Sequence, residues 1–245
     1  MKYKHLVAIL VFLIYSLQAV ANENKVVLAC VDYPPYYGKS LENGGPFTEI
    51  IVQAYKKVGY EVKLRIVPWA RGLKEAKEGT VDGIFTAWYR KDRERWFVFS
   101  EPLPPNEIVF YKRKEDNIKF NSFEDLKPYT VGVVRGYLNP PGFKEANLRT
   151  LEVTTDKQNL VILARNRIDL ALTDKALGQY IIRTEIPEHA NNLEWIDPPV
   201  EVVKQYLMIS KQTKNFQKKV EAFNSGLKIL SESGEMDKIL AKHEF

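Results

Sequence analysis

Apolar and polar positions follow two rhythms along this chain. Short runs rich in β-branched residues predict strands at Val26–Val31, Val62–Val67, Gly83–Thr86, Ile108–Lys112, Thr130–Val134, Asp169–Thr173 and Gln205–Ile209. Longer stretches with apolar residues three and four apart predict helices at Pro46–Gly59, Trp69–Glu78, Lys157–Arg167, Lys175–Thr184, Asn215–Ser231 and Glu235–Lys242. In the fifth of these helices Phe216, Val220, Phe223, Leu227 and Leu230 make one apolar stripe. Pro46 stands where a first-turn proline is tolerated, and Gly59 closes the same helix. Strands alternating with helices imply βαβ units and a largely parallel sheet.

The rhythm breaks near the middle. Ile108–Tyr111 leads into the charged stretch Lys112–Lys119, and Phe123–Leu126 opens a new unit whose first strand is Thr130–Val134. That second β/α series runs to about Pro199, and Gln205–Ile209 reads as a strand returning to the first lobe. The expectation is two α/β lobes joined by two crossover segments, residues 22–110 with 205–245 and residues 111–204, with a cleft between them.

Residues 1–21 fall outside this scheme. Lys2 and Lys4 precede the unbroken apolar run Leu6–Ile14, and Ala19-Val20-Ala21 gives a small-x-small site before the polar Asn22. This is the pattern of a secretory signal peptide cleaved after Ala21. The run is too short for a membrane anchor, which needs about 20 apolar residues. The mature protein is therefore expected to be soluble and periplasmic. Val27-Leu28-Ala29-Cys30 faintly resembles a lipoprotein box, but Glu23 and Lys25 interrupt the apolar run ahead of it, and Cys30 reads as a buried strand residue.

Charge and chemistry then narrow the function. A net charge of +5, two of it from Lys2 and Lys4, with acids and bases interspersed, argues against a nucleic-acid partner. A single cysteine allows no intrachain disulfide and no thiolate zinc site. Past the leader the histidines are His189 and His243, far apart and without metal-ligand spacing. No G-x-S-x-G elbow, P-loop or G-x-G-x-x-G spacing occurs. Neither a cofactor nor a catalytic group is expected from these patterns, although carboxylates brought together by the fold remain open.

What does stand out is aromatic and polar residues where strands end. Asp32-Tyr33-Pro34-Pro35-Tyr36-Tyr37 follows the first strand, Pro68-Trp69-Ala70-Arg71 the second, and Thr86-Ala87-Trp88-Tyr89 closes the third. Ligands of open α/β sheets bind outside the carboxyl ends of the strands. Such loops suit a pocket that stacks on an apolar part and hydrogen-bonds a polar head.

The stretch TAWYRKDRERWFVFSEPL (86–103), preceded by Val81-Asp82-Gly83, resembles the signature of the bacterial family 3 extracellular solute-binding proteins, the periplasmic components of polar amino-acid uptake systems. The YPPYY loop, LKPYTVGVVRGY and RIDLALTDKALGQYII (168–183) extend the resemblance along essentially the whole chain after the leader. It implies the type II periplasmic-binding-protein fold, a monomer, a small-molecule ligand and a membrane permease of an ABC transporter as partner. It also places Arg93 where relatives hold a ligand α-carboxylate, a task suited to a planar guanidinium that donates two parallel bonds. Asp174 matches the lobe-two acid that receives an α-ammonium, and it also stands as N-cap of the helix that follows.

By this reading lobe one supplies Tyr33, Tyr36, Trp69, Thr86, Trp88 and Arg93, and lobe two supplies Arg135, Tyr137 and Asp174. Hinges are expected near Tyr111–Arg113 and Val203–Gln205. The chain departs from the family pattern at Trp88, where a small hydroxyl residue is usual, at Tyr137-Leu138 in place of a threonine, and at Gly45–Glu49, which keeps only the second acid. The site is accordingly bulkier and more aromatic than usual. Two other readings use the same fold: a periplasmic dehydratase of the cyclohexadienyl type, with Asp32, Glu49 and Asp174 as candidate acid/base groups, and a module that presents its ligand to a sensor.

Overall fold

The structure, a computed structural model, describes residues 24–137 and 139–244. The leader with its cleavage site and Leu138 lie outside the described residues. In chain order the first elements are β1 (Lys25–Cys30), α1 (Pro46–Lys57), β2 (Glu61–Ile66), α2 (Trp69–Lys77), β3 (Gly83–Trp88), β4 (Phe97–Phe99) and β5 (Leu103–Arg113). There follow β6 (Thr130–Val134), β7 (Arg149–Val153), α3 (Asp156–Ala164), β8 (Leu170–Asp174), α4 (Lys175–Thr184), β9 (Leu193–Trp195), β10 (Glu201–Ser210), α5 (Phe216–Glu232) and α6 (Glu235–Lys242). The chain divides into two compact units, Met1–Leu103 with Tyr206–Phe245, and Pro104–Gln205.

The first unit is built on β2-β1-β3-β10, with β4 antiparallel to β10. The parallel pairs follow from the connections: α1 carries the chain from β1 to β2, and α2 from β2 to β3. Val26, Leu28, Ala29 and Cys30 are all buried, the run expected of a strand covered on both faces. Trp69 and Leu73 of α2 pack with Ala76 against Ala29, Ile84 and Ala87.

Helix α1 packs closely on α5, with Tyr55 and Phe223 rings 5.5 Å apart and the Tyr55 hydroxyl donating to the Lys219 carbonyl at 3.1 Å. Gly226 permits this approach, because a Cβ there would lie 1.8 Å from the Ala54 carbonyl oxygen. That obstacle is backbone and cannot swing aside. Gly226→Ala is therefore expected to destabilise the protein by about 1–3 kcal/mol through forced separation of the helices, read as a lower urea midpoint.

The second unit orders its strands β5-β8-β6-β7, with β9 antiparallel to the far end of β5. Strands β6, β7 and β8 run parallel, whereas β5 is antiparallel to β8. Its core gathers Phe110, Leu126, Val131, Val133, Phe143, Leu170 and Leu172. Asn159 of α3 donates to the Gly132 carbonyl at 3.1 Å and to that of Leu172 at 3.3 Å, which ties the helix to two strands.

The structure corrects the sequence expectation in three places. The strands are parallel through β2-β1-β3 and through β8-β6-β7, including the edge strands β2 and β7, whereas β4 on β10, and β8 and β9 on β5, add antiparallel pairs. Strand β5 begins at Leu103 rather than Ile108, its opening residues disguised by Pro104 and Pro105. Tyr111–Arg113, expected as a hinge, lie inside the second unit. Tyr111 is buried, and the Arg113 guanidinium donates to the carbonyls of Leu163 at 2.9 Å and Ile168 at 2.7 Å. Among the described residues no helix is long and apolar enough to cross a membrane.

Candidate functional site

In the first unit the candidate residues sit at the carboxyl ends of three neighbouring parallel strands. After β1 the chain doubles back, with the Tyr33 amide donating to the Tyr37 carbonyl at 2.8 Å and the Tyr37 amide to that of Tyr33 at 3.2 Å. The half-buried Tyr33 ring stacks on Tyr36 with centroids 6.0 Å apart. Tyr36 itself is buried edge-on against Phe47 at 5.1 Å. Thr86 is also buried, its hydroxyl donating to Tyr37 Oη at 3.3 Å. Tyr36 and Thr86 are thus buried rather than part of an open surface.

Arg93 is the residue with the most structured surroundings here. It follows β3 in a short helical turn, with its guanidinium over the half-buried Trp69 ring, 5.4 Å from the centroid. Its Nη1 donates to the carbonyl of the half-buried Trp88 at 3.3 Å. Three consecutive loops, after β1, β2 and β3, therefore contribute Tyr33, Trp69 and the Trp88–Arg93 pair. Burial, and then the nearby Arg90 cation, lowers the Arg93 pKa while Asp92 raises it, and arginine stays charged throughout the working range. Arg90 differs: it is exposed and paired with Asp92 at 3.0 Å.

The second unit repeats the plan. Arg135 and Tyr137 follow β6, and Asp174 ends β8. Arg135 is exposed, with Nε donating to Glu152 at 3.3 Å. Tyr137 is half exposed and donates its hydroxyl to the Asp156 carboxylate at 3.0 Å. Asp174 is buried and caps α4, accepting from the Leu177 amide at 2.8 Å and from Asn106 Nδ2 at 2.9 Å. The capping role anticipated for Asp174 is thus present.

Asp156 is absent from the sequence reading. It occupies the first turn of α3, directly after the N-cap Thr155 and beyond the carboxyl end of β7. The side chain is buried and also accepts a short hydrogen bond from the Thr173 hydroxyl. Burial raises its pKa, and the hydroxyls of Thr173 and Tyr137 partly offset that rise. Signals for it exist in the Thr-Thr-Asp run that opens a helix, but they have functional meaning only once β7 is known to be a strand.

The acids considered for catalysis have other engagements. Asp32 is exposed and accepts from the Lys39 amide at 3.2 Å. Glu49 binds His243 at 2.9 Å, Asn43 at 3.1 Å and Lys242 at 3.3 Å, which fastens α6 to α1. Desolvation works to raise the Glu49 pKa, and these partners together reverse it to a net lowering. Among the described residues no group of three or more His, Cys, Asp or Glu side chains is placed to hold a metal ion.

A guanidinium braced by aromatics stands at the strand ends of one unit, and hydroxyl and carboxylate groups at those of the other. The chain belongs to the bacterial extracellular solute-binding proteins, family 3, whose sequence profile matches residues 26–245. Solved structures agree on the fold. A histidine kinase sensor domain with similarity to periplasmic binding proteins is 23% identical with a TM-score of 0.67, covering 89% of this chain and 95% of its own. The L-arginine-bound substrate-binding protein of an amino acid ABC transporter from Streptococcus pneumoniae is 19% identical with a TM-score of 0.66, over 92% and 97%. The glutamate-bound GluR0 ligand-binding core from Nostoc punctiforme is 18% identical with a TM-score of 0.66, over 89% and 98%. No curated protein sequence matches the chain closely enough to count as a relative.

Proposed function

We propose that this protein is a non-enzymatic periplasmic binding protein that captures an amino acid or a related small carboxylate and delivers it to an ABC-type permease. The leader, cleaved after Ala21, would export it, and the protein would act as a monomer. The observation that carries the reading is the braced Arg93: half-buried, backed by Trp69 and anchored to the Trp88 carbonyl. A guanidinium so oriented loses little freedom on forming a bidentate bond to a carboxylate. Tyr33, Tyr36, Trp69, Thr86 and Trp88 would shape the apolar part of the site, and Arg135, Tyr137 and Asp174 the polar end. The ABC-transporter and amino-acid names of similar folds support this reading.

A ligand that bonds to both units favours the arrangement in which both can reach it. Capture by closure should therefore reduce the radius of gyration in small-angle scattering. The first test is a thermal-shift screen of the purified, ligand-stripped protein against amino acids, small carboxylates, amines and sugars. A true ligand at a hundredfold excess over its dissociation constant adds about 2.7 kcal/mol to the apparent stability. Stabilisation by sugars alone would reject the carboxylate reading.

A further inference from the structure

At the carboxyl ends of β6, β7 and β8 the second unit presents hydrogen-bond acceptors. The Asp156 carboxylate is buried, and a buried charge is costly unless a counter-charge or strong hydrogen bonds compensate it. Its oxygens receive the hydroxyls of Thr173 and Tyr137, and the first turn of α3 adds a partial positive charge. Among the described residues no lysine, arginine or histidine forms an ion pair with it.

The neighbouring cations are directed elsewhere. Arg135 lies on Glu152, Lys157 reaches Glu185 at 3.2 Å, and Lys175 is held by Glu107 at 2.9 Å and the Trp195 ring at 5.1 Å. Asp174 adds a second buried carboxylate whose oxygens also accept. Tyr137 links this buried charge to the outside. The residue is half exposed; its hydroxyl donates to Asp156, so the phenol oxygen keeps lone pairs, and the bond to a carboxylate makes it a better acceptor.

We propose that Tyr137, oriented by the positioning residue Asp156, recognises a second cationic nitrogen on the ligand, so that the protein selects amino acids whose side chains end in an amine or guanidinium. This rests on the amino-acid reading above and adds the ligand class to it. The Asp156–Tyr137 pair would receive the side-chain cation.

The test is titration calorimetry of the purified, ligand-stripped protein with L-lysine, L-arginine, L-norleucine, L-glutamate and putrescine. L-Lysine or L-arginine is expected to bind at least about tenfold more tightly than L-norleucine, the size of one hydrogen bond to a charged group. Tyr137→Phe, which keeps the ring, should lose that preference, the ratio of L-lysine to L-norleucine affinity falling to about one. Asp156→Asn should lose it as well, with L-norleucine binding serving as the check that the protein is folded.

Amino acids binding without preference for the cationic pair would overturn this inference and leave the proposed function standing. Putrescine binding without any amino acid would overturn the proposed function and this inference with it. A preference that survives in Tyr137→Phe removes the assigned residue, and binding of none of the probes rejects both readings.

Discussion

Arg93→Ala is expected to weaken ligand binding by roughly thirtyfold to several thousandfold. That range corresponds to the 2–5 kcal/mol lost when one partner of a desolvated, hydrogen-bonded charge pair is truncated. Arg93 is half-buried over Trp69, so its bond to a ligand carboxylate forms partly out of water, where electrostatic attraction is stronger. Arg93→Lys keeps the charge and loses both the planar fork and the stacking on Trp69, and should recover only part of the affinity. Arg90→Ala is the control three residues away. It removes an exposed cation paired with Asp92, an arrangement worth little, and should change affinity by less than about threefold. Calorimetry with the strongest hit of the thermal-shift screen reads all three variants. Unchanged binding in Arg93→Ala would mean that the ligand carries no carboxylate at this position.

How much of this site was legible beforehand depended on whether its strand was legible. Strands β1, β3 and β8 are buried apolar runs, so the residues at their ends, Tyr33, Trp88 and Asp174, could be placed from sequence. Strand β7 reads Arg-Thr-Leu-Glu-Val and exposes all but its last residue at the sheet edge, so it shows no buried run, and Asp156 beyond it passed unnoticed. Tyr36 shows a different limit. In Tyr33-Pro34-Pro35-Tyr36-Tyr37 the composition announces a binding loop, yet packing decides which ring faces outward, and Phe47 from α1 draws Tyr36 inward. Asp174 carries a sequence signal for a capping role, and the capping bond to Leu177 is present.

The two units place opposite chemistry on the same scaffold feature. Each sets its functional groups beyond the carboxyl ends of three adjacent parallel strands, where loops can vary without disturbing the sheet. The first unit backs a cation with aromatic rings, and the second buries two carboxylates behind hydroxyl and amide donors. On the proposed reading, bulky residues at Trp88 and Tyr137 would still allow a charged ligand. They would change how the charges are presented, through stacking and a phenol rather than through small hydroxyls.

Asp82→Ala should lower stability by about 3–5 kcal/mol, the usual cost of leaving a buried charge, here the Lys219 ammonium, without its partner. Asp82 lies in the turn before β3. Its carboxylate accepts from Lys219 Nζ of α5 at 2.5 Å and from the Val27 amide of β1 at 2.7 Å. One side chain thereby fastens a helix from the C-terminal part of the chain to the first strand, and its removal orphans a buried ammonium and a strand amide together. Lys219→Met should cost a similar amount, because Asp82 keeps the Val27 bond and loses its counter-charge.

The double variant Asp82→Asn/Lys219→Met removes both charges and retains an acceptor for Val27, so it should be milder than either single charge deletion. For a domain of this size, 3–5 kcal/mol corresponds to a fall of about 10 °C in the unfolding midpoint. Trp69, Trp88 and Trp96 belong to the same unit as this pair, so tryptophan fluorescence in urea follows the affected part directly. The exposed pair Lys25–Glu61, 3.4 Å apart, provides the contrast: Glu61→Gln should cost under about 1 kcal/mol. Equal losses at the two pairs would show that burial gives the Asp82–Lys219 bridge no special weight, and that α5 is held by its apolar stripe alone.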